Sequence, residues 1–178
     1  MSISESSIPI FKSYWVIPGR FRAGEYPGSL NYDEARGKLR WLLDQKIDLI
    51  LDLTEQGEAG LSPYANIFLE EAAKIPRKVN HQRLPLRDFE TPAQELVTEI
   101  LNLIDLSLSE GKSIYLHCFG GKGRTGTVVG CYLVRHGMKG QEALDKIREF
   151  RKSILDTDAQ SPETAGQKRM VLVWKQGQ

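Results

Sequence analysis

Three residues have the types and the spacing for chemistry on a phosphate group: Cys118, Arg124 and Asp88. Cys118 and Arg124 enclose the segment Phe-Gly-Gly-Lys-Gly, which follows the mainly apolar run at residues 113–117. A cysteine thiolate is a strong nucleophile, and the planar guanidinium of arginine can bind two oxygens of one phosphate. The spacing therefore predicts attack by a cysteine on a phosphorus atom that an arginine holds.

The segment between these two residues is predicted to be an anion-binding loop. Residues 113–117 indicate a buried strand, and a helix is predicted to begin near Arg124. The glycines between them allow backbone angles at which successive amide N–H groups turn towards one point, and the helix N-terminus adds positive potential. These surroundings favour the thiolate form of Cys118. The predicted phosphate-binding residues are Phe119, Gly120, Gly121, Lys122, Gly123 and Arg124.

Two neighbours of the loop are predicted to support it. The ring of His117 precedes the nucleophile and could orient the loop, and Thr125 could donate its hydroxyl to the cysteine sulfur. The alternative interpretation is a buried structural cysteine in a glycine-rich turn. A nucleotide-binding loop is disfavoured because the Gly-Lys-Ser/Thr sequence that it requires is absent.

The topology predicts that Asp88 lies beside Cys118. Residues 79–86 indicate a strand, and Thr91 is a candidate N-cap for a helix that continues to Ser109. With the strand at 113–117 they form a right-handed strand–helix–strand unit, in which the carboxyl ends of parallel strands share one edge of the sheet. Asp88 is therefore the predicted general acid, with Asp52 or Glu55 as alternatives and helix capping as the competing role.

The rest of the chain predicts one α/β domain over residues 1–178, with a central, mostly parallel sheet of about five strands flanked by helices. Residues 1–8 are polar and expected to be flexible. The further elements expected are an antiparallel strand pair at 14–16 and 21–23, helices at 31–45, 63–74 and 141–152, a strand at 47–53, and a last helix starting at Ser161-Pro162. Arg20 and Arg22 are expected to be solvated charges at the sheet edge.

Composition excludes several classes of protein. The net charge of +1 is too balanced for bulk nucleic-acid binding, and no apolar run reaches the roughly 20 residues of a membrane span. Two cysteines and three histidines leave little room for disulfides or a zinc cluster. Cys131 is expected to pack in the core. We expect a cytoplasmic monomer with no metal and no cofactor.

The sequence His117-Cys118-x5-Arg124-Thr125-Gly126 resembles the active-site motif of the cysteine-dependent protein tyrosine phosphatase superfamily, most closely its dual-specificity and tensin-related branches. The resemblance implies a phosphomonoester hydrolase that acts through a phosphocysteine intermediate. Cys118 would be the nucleophile, Asp88 the acid, and Thr125 would ease departure of the thiolate. A phosphate-binding module without turnover is the alternative.

The resemblance also bears on a glutamine near the end of the chain. By resemblance, Gln167 matches a residue that positions the hydrolytic water, although Glu163 stands where tyrosine-specific members carry glutamine; a plain helix-surface role is the alternative.

Two loop residues bear on the choice of substrate. Lys122 is typical of tensin-related phosphoinositide phosphatases, whereas Phe119 replaces a lysine of those enzymes. We therefore favour phosphorylated proteins or peptides as substrates, with inositol phosphates or phosphoinositides as the alternative.

Overall fold

The sheet of this protein joins strands that are far apart in the sequence. A computed structural model describes residues 11–58, 60–152, 154 and 160–178. The segment at residues 1–8 that was expected to be flexible lies outside the described residues. The strands are β1 (Ser13–Ile17), β2 (Phe21–Gly24), β3 (Leu49–Asp52), β4 (Asn80–Arg83) and β5 (Ile114–His117), and the helices are α1 (Tyr32–Asp44), α2 (Ala65–Ala72), α3 (Gln94–Ser109), α4 (Gly123–Arg135), α5 (Gly140–Lys152) and α6 (Ala165–Val173).

The five strands form one sheet in the order β1-β2-β5-β3-β4. β1 is antiparallel to β2, and the other neighbours are parallel, which confirms the predicted mostly parallel sheet. His117 pairs with Gly24 on one side and with Asp52 on the other, and Asp52 pairs with Arg83. The carboxyl ends of four strands therefore form one row, which is where parallel sheets place their ligands.

Helices cover both faces of the sheet, and α4 is the most deeply buried of them. All residues of α4 from Gly123 to Val134 are buried. Successive residues of β3 and β5 point into two separate apolar clusters, because side chains alternate across a strand. One cluster includes residues of α3, α4, α5 and α6, and the other includes residues of α1 and α2. Cys131 packs within the first cluster, and its thiol is fully buried.

Two predicted helix starts are wrong. Thr91 does not cap α3, whose N-cap is Ala93 without a side-chain bond. Its hydroxyl packs against α6 instead, so closely that a Cβ added at Gly166 would lie 2.1 Å from it. The last helix begins at Ala165 and not at Ser161-Pro162, because Thr164 and Gln167 form a capping box there.

The predicted role of Arg22 as a solvated edge charge is also wrong. Its side chain is 4% exposed, and the guanidinium carbon lies 4.7 Å from the ring centre of Trp15 and 4.6 Å from that of Trp41. Its Nε donates to the hydroxyl of Ser13 at 2.9 Å. β2 lies inside the sheet and not at its edge. The two tryptophan faces stabilise the buried guanidinium through cation–π contacts.

Among the described residues, none of the helices combines the length and the apolar character needed to cross a membrane.

Candidate active site

The loop from Cys118 to Gly123 connects β5 to α4, and its carbonyl groups are bound from outside. Four of them accept hydrogen bonds from groups that belong neither to the loop nor to α4. The donors are His117 Nδ1 to Cys118 (3.0 Å), the Tyr26 amide to Phe119 (2.9 Å), Arg151 Nη1 to Gly121 (2.9 Å) and Ser161 Oγ to Lys122 (2.8 Å). Such bonds fix the orientation of the peptide planes on which these carbonyls lie.

Fixed carbonyls also fix the amides. In a trans peptide the C=O and the following N–H point in opposite directions, and the one cis bond among the described residues is Ser161-Pro162. The N–H groups of Phe119, Gly120, Lys122 and Gly123 therefore point away from the outer anchors. The N-terminus of α4 adds to this set of donors, because the unpaired N–H groups and the dipole at a helix N-terminus favour an anion. The loop has the arrangement expected of a phosphate cradle.

Two of the three loop glycines are required, and for different reasons. Gly121 has a φ of +67°, and a Cβ there would lie 2.4 Å from the carbonyl carbon of Gly24, so both its conformation and its close contact with β2 exclude other residues. A Cβ on Gly123 would lie 2.6 Å from the carboxylate of Glu163. Gly120 has neither a positive φ nor a close contact beyond Lys122. Only Gly121 uses the backbone freedom that the sequence suggested for all three.

Arg124 is fully buried and is held by a carboxylate that the sequence did not indicate. Its Nη1 and Nη2 donate to the two oxygens of Glu58, at 2.7 and 2.8 Å. Nη1 also donates to the carbonyl of Leu86 at 3.2 Å. These hydrogen bonds lower the pKa of Glu58, so its side chain is a carboxylate at neutral pH. The pair fixes the plane of the guanidinium and leaves its Nε edge for another group.

Asp88 lies at that edge. Its Oδ1 is 3.2 Å from Arg124 Nε, and its side chain is 36% exposed. Nε has no aligned hydrogen-bond partner among the described residues, so this is a close ion pair and not a hydrogen bond. Asp52, one of the two alternative acids, is fully buried and binds Arg83 at 3.0 Å. Unlike Asp52, Asp88 both reaches the arginine of the loop and remains open to solvent.

His117 is a buried, neutral connector beneath the nucleophile. Its Nδ1 must donate, because its partner is the carbonyl of Cys118. Its Nε2 then accepts from the hydroxyl of Tyr64 at 2.5 Å, which fixes the tautomer. Burial lowers the pKa of His117 to about 4, although the nearby Asp52 carboxylate opposes the shift. The ring therefore stays uncharged at neutral pH.

This lowered pKa predicts a dependence of stability on pH. An unfolded histidine takes up a proton below about pH 6.5, whereas His117 in the folded protein does so only near pH 4. We expect the stabilisation that results from this difference in pKa to be fully present above pH 6.5. As the pH falls towards 4, the free energy of unfolding should decrease by on the order of 3 kcal/mol. Urea unfolding at several pH values would measure it, and His117→Asn should flatten this part of the curve.

The exposed histidine at the end of α4 provides the control. His136→Asn makes the same exchange at a side chain that is half exposed and contacts Asp105, so it shows how much of the slope any histidine-to-asparagine exchange removes. A slope that is the same in wild type and His117→Asn would contradict the prediction.

The remaining predicted residues are placed close to the loop but with different contacts. Thr125 is buried, and its hydroxyl has no hydrogen-bond partner among the described residues, so the expected bond to the cysteine sulfur is not made. Gln167 is fully buried, which excludes a plain helix-surface role. Its amide nitrogen donates to the carbonyl of Glu90 at 3.1 Å, two residues after Asp88, and its oxygen accepts from the amides of Glu163 and Thr164. A role in positioning water stays a prediction.

The side chains of this site that were missed from the sequence include Glu58, Tyr64, Arg151 and Ser161. Glu58 follows the apolar run at residues 47–53, and because β3 and β5 end at the same edge, acidic residues after that run lie next to the loop. Tyr64 and Arg151 carry no motif. Their positions depend on how α2 and α5 pack against the rest of the chain.

Comparison with known proteins agrees with this geometry. The family model described as "Tc-R-P: Polymorphic toxin system, DSP-PTPase phosphatase" matches residues 27–138, which is more than half of the chain and includes the loop and Asp88. The chain belongs to this DSP-PTPase family. The family lies within the cysteine-dependent protein tyrosine phosphatase superfamily, as the motif around Cys118 indicated.

Individual relatives of this DSP-PTPase chain are more distant. The phosphatidylglycerophosphate phosphatase PTPMT1 of Arabidopsis thaliana is 31% identical over 160 residues, which cover 78% of this chain and 47% of that protein. The chain therefore spans about half the length of this relative. The crystal structure of Tk-PTP in its active form is 27% identical with a TM-score of 0.65, and covers 90% of this chain and 93% of its own. Kinase associated phosphatase, at 18% identity and a TM-score of 0.74 over 93% of both chains, shows the same fold.

Proposed function

We propose that this protein hydrolyses phosphate monoesters through a phosphocysteine intermediate, with phosphorylated proteins as its substrates. The observation that supports this most is that one residue, Arg124, connects the loop of Cys118 to the carboxylate of Asp88, 3.2 Å away. This contact supports the proposed roles of Cys118 as nucleophile, the loop amides as phosphate donors and Asp88 as acid. The description of the DSP-PTPase family to which the chain belongs names a phosphatase, which also supports the proposal.

In the first step, the thiolate of Cys118 attacks phosphorus in line with the leaving group. A P–S bond forms while the P–O ester bond breaks, and the leaving oxygen takes the proton of Asp88. The inward amides of the loop and the Nε edge of Arg124 stabilise charge on the phosphoryl oxygens. Donors that are already oriented need no reorganisation during the reaction, and each can contribute about 3–4 kcal/mol.

In the second step, a water molecule attacks the phosphocysteine. Asp88, now a carboxylate, accepts the proton of this water, and the P–S bond breaks to return the thiolate of Cys118. We propose that Gln167 acts on this step by holding the backbone of Glu90, and so the segment of Asp88, against the start of α6. The buried hydroxyl of Thr125 could stabilise the departing thiolate, as the family resemblance implies.

The role of Asp88 predicts a dependence on the leaving group. Asp88→Asn should slow alkyl phosphates by about 10²–10⁴-fold, because an alkoxide leaves only with a proton, and should slow activated aryl phosphates much less. Steady-state rates on phosphoserine peptides and on 4-nitrophenyl phosphate would measure the difference. Glu90→Gln, a change of a neighbouring exposed carboxylate, is the control. An equal loss on both kinds of ester would mean that another group is the acid.

A lipid or inositol substrate is the second candidate. It is favoured by the name of the Arabidopsis relative, a phosphatidylglycerophosphate phosphatase, and by Lys122 in the loop. Against it, the exposed ring of Phe119 adds an apolar surface where a lysine would favour a second phosphate. Phosphate release from a panel of phosphopeptides, phosphoinositides, phosphatidylglycerophosphate and soluble inositol phosphates decides between them. We expect the highest kcat/KM on phosphopeptides.

We further propose that the protein works as a cytoplasmic monomer. Cys118 and Cys131 are both free, and the proposed mechanism requires Cys118 to be reduced. Thiols stay reduced in the cytoplasm, whereas oxidising compartments favour disulfides.

A further inference from the structure

A pocket lies beside the phosphate loop and has no part in the mechanism above. Its volume is about 250 Å³, which is enough for a side chain, since one water in the liquid takes about 30 Å³. One wall is formed by Phe119 and Gly120, the two residues that follow the nucleophile. The other walls come from residues 25–30 and 60–62, with Lys38 of α1. A group bound there would adjoin a phosphate in the loop.

The pocket walls are held in place by hydrogen bonds to the rest of the site. The amide of Tyr26 donates to the carbonyl of Phe119 at 2.9 Å, and its hydroxyl donates to the carbonyl of Ser62 at 2.9 Å. One residue thus fixes both walls relative to the phosphate loop. A Cβ on Gly28 would lie 2.5 Å from the ring of Tyr26, so the segment packs without a gap. The pocket is therefore formed before any substrate binds.

Two large apolar side chains of the lining are exposed to solvent. Leu30 is 90% exposed and Phe119 is 51% exposed, and Leu61 completes the apolar part. Leaving side chains of this size in water is unfavourable, and covering them recovers that free energy. Exposed apolar residues that share one pocket next to a reaction site indicate an apolar ligand group.

The charges of the pocket do not favour a second phosphate. Lys38 is the one cation among its lining residues, and its Nζ binds Glu34 at 2.8 Å. The carboxylate of Glu25 also lines the pocket and accepts from the amide of Lys12. A polyphosphorylated headgroup would meet a cation that is already paired, together with a carboxylate. An uncharged group would meet no such penalty.

We infer that this pocket binds an apolar side chain next to the phosphorylated residue of a protein substrate, and that Leu30 sets this preference. The inference rests on the proposed phosphatase function and makes its substrate class more specific. Leu30 has no role in the proposed chemistry and is 90% exposed, so changing it should alter the choice of peptide without altering turnover of a small ester.

The test compares two phosphotyrosine peptides and one small ester. The peptides carry leucine or serine at the positions flanking phosphotyrosine, and the ester is 4-nitrophenyl phosphate. We expect kcat/KM of the wild type to be about tenfold higher for the leucine peptide, as for an apolar group in a partly open pocket. Leu30→Ser should reduce that ratio to below about threefold and leave 4-nitrophenyl phosphate within about twofold of wild type.

Leu106→Ser is the matched control. Leu106 is also an exposed leucine, at 56%, but it lies near the end of α3. α3 leads to the start of β5, which is the end of that strand opposite the phosphate loop. This variant should keep the tenfold ratio. Equal kcat/KM for the two peptides in the wild type, or an equal loss in both leucine variants, would overturn the inference.

Two other outcomes separate the inference from the proposed function. If the wild type hydrolyses 4-nitrophenyl phosphate but Leu30→Ser lowers turnover only on phosphatidylglycerophosphate in vesicles, the pocket serves a lipid and the inference is wrong. If the wild type hydrolyses none of these esters, the proposed function fails, and the inference fails with it.

Discussion

Cys118→Ser is expected to lower turnover by about 10⁴-fold or more while the loop still binds phosphate esters. A serine hydroxyl is a far poorer nucleophile than a thiolate at neutral pH, and loss of a covalent nucleophile has effects of this size. Binding should persist because the four anchored carbonyls, and with them the inward amides, do not involve the sulfur. Phosphate release measures the first effect, and calorimetry with a phosphopeptide measures the second.

The other cysteine gives the matched control for this change. Cys131 is fully buried in the apolar cluster beside α4, so Cys131→Ala should affect stability but leave kcat within a few-fold of wild type. Turnover that survives in Cys118→Ser would contradict the phosphocysteine mechanism. A wild type that binds phosphate esters tightly without releasing phosphate would instead support the module without turnover.

Arg124→Lys is expected to lower kcat/KM by about 10²–10³-fold, although the charge is kept. Arg124 uses its two terminal nitrogens for Glu58 and presents its Nε edge beside Asp88. A lysine has one nitrogen and cannot make both contacts, so it would either pair with the buried carboxylate or bind phosphate. The expected size is that of losing a positioned donor to the transition state. Steady-state kinetics on 4-nitrophenyl phosphate would measure it.

Arg135→Lys is the control for charge and helix position. Arg135 lies at the other end of α4 and pairs with Asp105 at 2.9 Å, so the same exchange is made on the same helix away from the loop. Its kinetics should match wild type. Thermal unfolding of both variants shows whether they are folded. A folded Arg124→Lys protein with kcat/KM within about threefold of wild type would contradict the proposed binding of the phosphoryl group by the guanidinium of Arg124.

The sequence was most informative where local physics decides the outcome. The apolar runs at residues 47–53 and 113–117 become β3 and β5 because strands buried on both faces need continuous apolar sequence. The parallel arrangement then brings Asp88 near the loop across thirty residues of chain. These predictions needed only periodicity and the rule that parallel strands end at one edge.

Side-chain partners were harder to predict because they depend on packing between distant elements. Thr91 has the local pattern of a helix cap, but a contact with Gly166 of α6 takes its place. The sequence predicts Arg22 to be a charge at the sheet edge, whereas in the structure its guanidinium lies against two tryptophan rings. Glu58 is one of several acidic residues on a loop, and only the fold shows that it reaches Arg124. Tertiary contacts of this kind leave no periodic signal in a sequence.

The outer anchors of the phosphate loop also bear on how the protein folds. Arg151 is 30 residues from the loop carbonyl that it binds, Ser161 is 39 residues from its own, and Tyr26 comes from the opposite end of the chain. Contacts between such distant residues form only after the entropy of closing the intervening chain has been lost. The cradle is thus assembled by nearly the whole polypeptide. A refolding chain would regain its helices well before it regains phosphate binding, and cleavage between residues 152 and 160 would break the covalent connection between the loop and Ser161.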